Sequence, residues 1–263
     1  MNSDVNAGQS AAENSEKTRT RGDQLFGFSD DFQRENSDNL GADWVDGHQL
    51  CPDHFEPLGI YENGVVVTNP TTRPGVYDSR PPAEHPLPEN KIQPGIGCAW
   101  TETGAGKVAV KIIWSGHFGR SYPVPVLHVE ATPLLYVSPE NPRFGFGAWF
   151  SELFGRIVMY VGYIGAPPED FEVIATARSL GAHFTGTPRE VELRAEEAGA
   201  VTVWLDGEQV RFDSRIGLSP VKVDPTMIGS TCHGFAVDAH LVDPLSDIPT
   251  IKAVEAVTIT ELE

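Results

Sequence analysis

Residues 190–212 constrain the fold of this chain more than any other segment. Their sequence, EVELRAEEAGAVTVWLDGEQVRF, holds two runs in which apolar and polar residues alternate. This period of two is typical of a strand with one face on a core. Glu197-Ala198-Gly199 separates the runs and Asp206-Gly207 follows the second, and both are tight-turn sequences. The segment therefore predicts three consecutive antiparallel strands.

The same alternation appears in residues 107–114, KVAVKIIW, where every second residue from Val108 to Trp114 is apolar. A hairpin is expected over residues 59–67, because Asn63-Gly64 accepts the positive φ angles of a type I′ turn between two β-rich tripeptides. Residues 148–154, AWFSELF, are compatible with a short helical turn. The other predicted strands are 124–130, 134–137, 156–164, 171–178 and 254–262.

These short strands are joined by turns, as the 26 Gly and 21 Pro in 263 residues require. With no helix-length periodicity between them, they predict an all-β antiparallel sandwich or barrel. We expect one folded domain over residues 25–263, with a Pro-rich irregular insertion at 69–97. Residues 1–24 form a polar arm that we expect to be disordered or extended. Such an arm either becomes ordered against a partner or remains disordered.

Net charge, cysteine spacing and the distribution of apolar residues each limit the possible environment and partners of the chain. The chain has 19 Lys plus Arg against 37 Asp plus Glu, a net charge of -18, which disfavours binding to nucleic acid. Cys51, Cys98 and Cys232 are far apart in sequence and read as reduced thiols. No apolar stretch resembles a signal peptide or a membrane span, so we expect synthesis in the cytoplasm.

No catalytic, cofactor-binding or metal site is assigned from the sequence. The E-x-D-x-E string of jelly-roll glucanases is absent, and Glu190 and Glu192 are interpreted as a solvated strand face. The motifs for nucleophilic serine, phosphate loops, dinucleotides and zinc proteases are also absent. Three tryptophans are candidates either for stacking on sugars or for the core: Trp114, Trp149 and Trp204.

One cluster of possible ligands lies in residues 232–240, CHGFAVDAH. On a strand Asp238 and His240 share a face, so they are able to share a metal, with His233 or Asp243 as further ligands. The alternative, which we favour, is that Asp238 orients His240 through a hydrogen bond. Cys232 and His233 are no nucleophile pair, because adjacent strand residues face opposite ways.

The opening block of the domain, residues 30–44, reads DDFQRENSDNLGADW and carries the pattern D-x-F-x-R followed by L-G-x-x-W. We expect Phe32, Leu40 and Trp44 to be buried structural core and Gly41 to permit a close bend. The block resembles the start of the concanavalin A-like, or laminin-G-like, jelly roll in minor tail proteins of phages that infect actinobacteria. Residues 201–210 and 229–242 are similar to a later hairpin and the penultimate strand of those sandwiches.

The resemblance implies a jelly-roll β-sandwich that is a non-enzymatic structural part of a phage tail. It would be built into the virion through contacts with other tail proteins and as a homo-oligomer. The alternative is a carbohydrate-binding adhesin that recognises host cell-wall glycan, and the two are compatible. A glycan depolymerase is a third hypothesis, which the missing carboxylate pair makes less favourable.

Overall fold

The computed structural model describes residues 15–18, 25–52, 55–67, 96–115, 117–118, 127–141, 143–153, 156–164, 171–178, 188–212, 220–241 and 252–263. In chain order its elements are β1 (Ser15–Thr18), β2 (Gly27–Asp30), β3 (Val45–Asp46), α1 (Gly47–Leu50), β4 (Leu58–Ile60), β5 (Val65–Val67), β6 (Ile96–Glu102), β7 (Val108–Trp114), β8 (His117–Phe118), β9 (Leu127–Leu135), β10 (Gly145–Leu153), β11 (Arg156–Ile164), β12 (Phe171–Arg178), β13 (Arg189–Ala195), β14 (Ala200–Leu205), β15 (Glu208–Gln209), β16 (Val221–Lys222), β17 (Cys232–Leu241) and β18 (Val254–Glu261). A single 3₁₀ turn, Glu197–Gly199, joins β13 to β14.

The strands form two sheets, and every strand pair in the described part of the chain is antiparallel. The first sheet has 10 strands with the main order β1-β2-β18-β7-β13-β14-β15. The second has 8 strands with the main order β12-β11-β10-β9-β17-β6-β3, and β8 pairs with β9 beside this path. The two-sheet antiparallel sandwich predicted from the sequence is confirmed.

The core lies between the two sheets. Val108, Val110 and Ile112 of β7 are fully buried, as the alternation in residues 107–114 predicts. Trp114 of β7 stacks on Phe150 of β10 with ring centroids 5.1 Å apart, which joins the first sheet to the second. The strands predicted at 156–164 and 171–178 are confirmed as β11 and β12, and residues 190–212 form β13, β14 and β15 as expected.

Two local predictions are corrected in the second sheet. The helical turn expected at 148–154 is wrong, because residues 148–153 belong to strand β10 and residue 154 lies outside the described residues. The strands expected at 124–130 and 134–137 overlap a single strand, β9, which runs from Leu127 through Pro133 to Leu135, and residues 124–126 lie outside the described residues. β9 pairs with β10 at Leu134 and Leu135 but not at Pro133. Proline is tolerated where a ladder ends, since it has no N–H to donate.

The β4–β5 hairpin forms as predicted, but its turn is shifted by one residue. Glu62 and Asn63 have positive φ angles of 49° and 60°, and the Tyr61 N–H donates to the Gly64 oxygen over 2.9 Å. Glu62-Asn63 is therefore the central pair, in place of Asn63-Gly64. Gly64 is needed for a close approach, since a Cβ there would lie 2.7 Å from Cβ of Lys252.

The predicted arm and insertion are described in part. Within residues 1–24 the structure describes β1, which pairs with β2 from Ser15 opposite Asp30 to Thr18 opposite Gly27. This part of the arm is extended and adds an edge strand to the first sheet. Most of the insertion predicted at 69–97 lies outside the described residues, but Ile96 and Gly97 already belong to β6.

Candidate functional site: the outer face of the second sheet

The second sheet has one face on the sandwich core and one turned away from it. Alternate residues of β10 distinguish the two faces, because Phe146, Ala148 and Phe150 belong to the main core cluster. Trp149, between Ala148 and Phe150, therefore lies on the opposite face. We call this opposite face the outer face.

One half of the outer face is apolar. A second hydrophobic cluster lies there, in which Phe55 packs on Phe144 with ring centroids 4.9 Å apart and Trp100 meets Phe144 edge-on at 5.6 Å. Phe55 comes from the chain after α1, so that segment covers this half. The buried members of the cluster are Phe55, Ile96, Cys98, Trp100, Leu134, Val137, Phe144, Ile164 and Ala236.

The other half of the outer face carries aromatic and polar side chains. Trp149 of β10 is the register partner of Tyr160 of β11, and their ring centroids are 6.2 Å apart. Tyr160 is in turn the register partner of Thr176 of β12. We name five residues the polar-aromatic patch: Glu130, Thr132, Trp149, Tyr160 and Thr176.

Two glycines beside the patch, Gly147 and Gly162, allow neighbouring groups to pack close to the sheet backbone. A Cβ at Gly147 would lie 2.5 Å from Cγ2 of Thr132, so the threonine occupies the space above this glycine. A Cβ at Gly162 would lie 1.9 Å from the Glu172 oxygen, where the β11–β12 register shifts. Side chains at these two positions would displace the patch.

Four residues of the patch are buried, and the patch meets solvent at Tyr160. Glu130 is 6% exposed, Thr132 4%, Thr176 8% and Trp149 9%, while Tyr160 is half-buried. Binding sites for small molecules are mostly lined by aromatic and apolar groups, with a few fixed polar groups that set orientation. The patch has this composition, with two aromatic side chains, two threonine hydroxyls and one carboxylate.

The sequence offers His233 and Asp243 as further metal ligands beside Asp238 and His240. His233 is fully buried on the core side: the Tyr136 N–H donates to Nδ1 over 3.2 Å, and Nε2 lies 3.0 Å from the Ala105 oxygen. Burial lowers the pKa of His233 to about 4. Both ring nitrogens are thus engaged, so His233 is a structural histidine and not a metal ligand. Asp243 lies outside the described residues.

Strand pairing instead brings Asp238 opposite Glu130 of β9, and His240 opposite His128. Sequence reasoning missed Glu130 and His128 because the partner of a strand and its register are set by the whole sheet. The H-x-E sequence at 128–130 is the one local signal, since it mirrors D-x-H at 238–240. Among the side chains that the structure describes, no group of three potential metal ligands occurs.

Cys98 and Cys232 are not activated thiols. All three are free, and burial raises the pKa of Cys98 well above its usual value and that of Cys232 above its usual range. A thiol with a raised pKa is protonated at neutral pH and is a poor nucleophile.

Charged side chains on the outer face of the first sheet pair with one another. Glu192 forms a 2.8 Å bond with Arg194, whose guanidinium lies 4.2 Å from the ring centroid of Trp204. Glu190 lies 3.3 Å from Nζ of Lys111. Each glutamate is thus held by a basic side chain, and Arg194 covers one face of Trp204.

The opening block is organised by one buried carboxylate, Asp30, which is 1% exposed. It accepts bonds from both terminal nitrogens of Arg34, at 2.6 and 3.0 Å, and from Nε1 of Trp44 at 2.8 Å. Its Oδ1 also accepts the Phe32 N–H at 2.9 Å, which helps to hold the positive φ of 52° at Phe32. Arg34 donates further to the Leu40 oxygen at 2.6 Å.

The three aromatic and aliphatic residues of this block lie in the main core. Phe32, Leu40 and Trp44 are 0%, 3% and 6% exposed. Trp44 meets Phe235 of β17 edge-on at 5.0 Å, so the block packs against the second sheet. Gly41 adopts a φ of 93°, the left-handed geometry that the predicted bend requires.

Comparisons with known proteins give a fold but no family. No protein-family profile matches the sequence, and no curated protein matches it. Among solved structures, beta-agarase A from Zobellia galactanivorans is 11% identical, covers 89% of this chain and 89% of its own, and has a TM-score of 0.50. The carbohydrate recognition domain of Emp47p is 10% identical, covers 92% and 99%, and has a TM-score of 0.49.

An alginate lyase from Pseudomonas aeruginosa is 10% identical, covers 82% of this chain and 88% of its own, and has a TM-score of 0.38. The beta-agarase has the highest TM-score of these three. In the described part of the chain no helix has the length and apolarity to cross a membrane. The chain folds as an antiparallel jelly-roll β-sandwich of the concanavalin A-like type.

Proposed function

We propose that the protein is a carbohydrate-binding domain that recognises a glycan through the polar-aromatic patch. The observation that carries this proposal is the Trp149–Tyr160 pair, set on the outer face beside the hydroxyls of Thr132 and Thr176 and the carboxylate of Glu130. Sugar rings combine apolar C–H faces with a rim of hydroxyls. They therefore suit a surface where aromatic rings adjoin hydrogen-bonding groups.

The other four tryptophans do not provide such a surface. Trp114 stacks in the core on Phe150, and Trp44 donates its indole N–H to buried Asp30. Trp100 belongs to the second hydrophobic cluster, and Trp204 lies under the Arg194 guanidinium. Trp149, the fifth, lies in the patch.

The fold supports the proposal in a general way. The beta-agarase that shares it is named for action on a polysaccharide. At 11% identity this likeness concerns architecture alone, so the proposal assigns binding and no reaction. Host cell-wall glycan is the ligand class that we propose, following the resemblance of the opening block.

The test is binding to a glycan array and to purified actinobacterial cell walls, with product analysis after prolonged incubation. We expect retention without release of sugar. Tyr160→Ala and Glu130→Gln should reduce retention at least tenfold, while the matched controls Tyr61→Ala and Trp204→Ala on other surfaces should leave it unchanged. Equal loss in controls and patch variants, or no retention on any glycan, would contradict the proposal, and sugar release would point to a depolymerase.

A second proposal concerns where the domain acts. We propose that it is a component of a phage tail, assembled with other tail proteins and with copies of itself. The supporting observation is that Asp30, Phe32, Arg34, Leu40 and Trp44, the residues that carry the resemblance, pack as one unit. Mass spectrometry and immunogold labelling of purified virions test it: detection in the tail supports the placement, and absence from intact particles refutes it.

A further inference from the structure

Two of the three cysteines lie beside Gly47, the first residue of α1. Cys98 of β6 contacts this glycine directly, since a Cβ on Gly47 would lie 2.2 Å from the Cys98 Sγ. The Gly47 Cα therefore lies within about 4 Å of that sulfur. The same Cβ would lie 3.1 Å from Cδ2 of Phe55. A side chain at position 47 would push α1 away from β6, so the glycine allows the helix to rest on the Cys98 thiol.

Cys51 ends the same helical turn. It is the C-cap residue of α1, and its N–H donates to the Gly47 oxygen over 2.9 Å. Residues four apart on a helical turn are neighbours on one face. Both cysteines also belong to the second hydrophobic cluster, Cys98 as a buried member and Cys51 as a partly buried side chain packed against it. The two thiols thus share one apolar environment next to Gly47.

The pKa of Cys98 gives a second indication that the two thiols are close. Burial raises this pKa well above its usual value, and negative charge on Asp46 and on Cys51 raises it further. The Gly47 N–H bonds to the Cys98 sulfur and acts in the opposite direction. Because the Coulomb interaction weakens with distance, the effect of Cys51 makes it a near neighbour of Cys98.

Cys232 lies too far from Cys98 to be its partner. Cys98 is opposite Ala236 in the β6–β17 ladder, and Ala236 is four residues along β17 from Cys232. At about 3.3 Å per residue this offset is about 13 Å along the strand, whereas a disulfide requires Cα atoms within about 7 Å. Cys51 is therefore the cysteine in position to pair with Cys98.

We propose that Cys51 and Cys98 are a thiol pair that oxidises to an intramolecular disulfide joining the end of α1 to β6. The bond forms when the chain meets an oxidising environment, and both thiols stay reduced in a cytoplasm. α1 is one turn of four residues, which is marginally stable by itself and adjusts at low cost as the sulfurs meet. The bond fixes α1 over the apolar half of the outer face. The proposal depends neither on glycan binding nor on a place in a virion.

The oxidant is a low-molecular-weight disulfide, for which oxidised glutathione is the probe. Cys51 is partly exposed, so its thiolate attacks first, forming a mixed disulfide and releasing one glutathione thiolate. Cys98 then loses its proton and attacks the Cys51 sulfur, which releases the second glutathione thiolate. The released thiolates take up the protons that the cysteines lose. Two protein thiols are oxidised to one disulfide while one glutathione disulfide is reduced to two thiols.

The test treats the full chain with oxidised glutathione at neutral and at mildly alkaline pH, blocks free thiols with N-ethylmaleimide, and maps the peptides by mass spectrometry without reduction. We expect a peptide pair linked through Cys51 and Cys98. It should form faster at the higher pH, because the raised pKa of Cys98 limits its thiolate at neutral pH. The oxidised chain should melt at least about 5 °C above the same chain after reduction, since a closed loop constrains the unfolded state.

Two variants complete the test. Cys51→Ser should lose both the linked peptide pair and the rise in melting temperature, while the matched control Cys232→Ser should keep both. The peptide map of the wild type decides the pairing even if Cys51→Ser does not fold. Absence of the linked pair, glutathione that remains on Cys51 at both pH values, or a link from Cys98 to Cys232 would overturn the proposal. An equal rise in melting temperature for Cys51→Ser would overturn it as well.

Discussion

Replacing Asp30 by alanine should destabilise the domain strongly. The carboxylate is 1% exposed and accepts bonds from the Phe32 N–H, both terminal nitrogens of Arg34 and the Trp44 indole. Removing one partner of a buried ion pair costs about 3–5 kcal/mol, and each buried donor left unsatisfied costs about 1–3 kcal/mol. Arg34 keeps 22% of its side chain exposed and is able to recover water, so the ion-pair share is reduced. We expect a total of about 3–5 kcal/mol for Asp30→Ala.

Urea unfolding followed by tryptophan fluorescence measures this free energy. Asp30→Asn keeps one acceptor oxygen and should cost about 1.5–3 kcal/mol, the value of a hydrogen bond to a charged group. Asp31→Ala is the matched control, because Asp31 is exposed and its bond to the Gln33 N–H is local, so it should cost less than about 1 kcal/mol. Equal effects of the Asp30→Ala and Asp31→Ala changes would refute the view that Asp30 organises the opening block.

Three further outcomes are expected. The unfolded chain binds a proton at His233 below about pH 6.5, whereas the folded chain binds one there only near pH 4. The free energy of unfolding should therefore fall by about 3 kcal/mol as the pH drops from 6.5 to 4. Urea midpoints measured against pH should give a flatter profile for His233→Gln than for the wild type. Gly234→Ala should cost about 1–3 kcal/mol or more, because its Cβ would lie 2.0 Å from the Ala99 oxygen, whereas Gly229→Ala meets nothing within 4 Å and should be neutral in thermal melts. Deleting residues 2–24 removes β1 but leaves β2 paired with β18, so circular dichroism should report a folded domain that loses at most about 2 kcal/mol.

Strands with one solvated face could be predicted from the sequence. In residues 107–114 and 190–212 polar and apolar residues alternate cleanly, because the outer face of the first sheet carries charged side chains such as Lys111 and Arg194. β10 lacks this signal. Trp149 on its outer face is nearly as buried as Phe150 on the core side, so its apolar residues are consecutive and mimic a helical turn.

The candidate site could not be predicted, since it depends on pairing between distant segments. Trp149 meets Tyr160 through the register of β10 with β11, and Tyr160 lies opposite Thr176 through that of β11 with β12. A shift of one residue in either register would move these side chains to the other face. The opening block was more accessible, because its contacts link residues within 30–44, where Asp30 reaches Arg34 and Trp44 directly.

The most direct test of glycan recognition by the outer face uses the 5 tryptophans as internal reporters. In ¹H–¹⁵N spectra each indole N–H gives its own signal, and the array-selected oligosaccharide is titrated into the labelled protein. The account predicts that the Trp149 signal shifts with saturation, while those of Trp44, Trp100, Trp114 and Trp204 stay in place. Saturable binding that shifts Trp204 and leaves Trp149 unmoved would place the glycan on the first sheet and contradict the account.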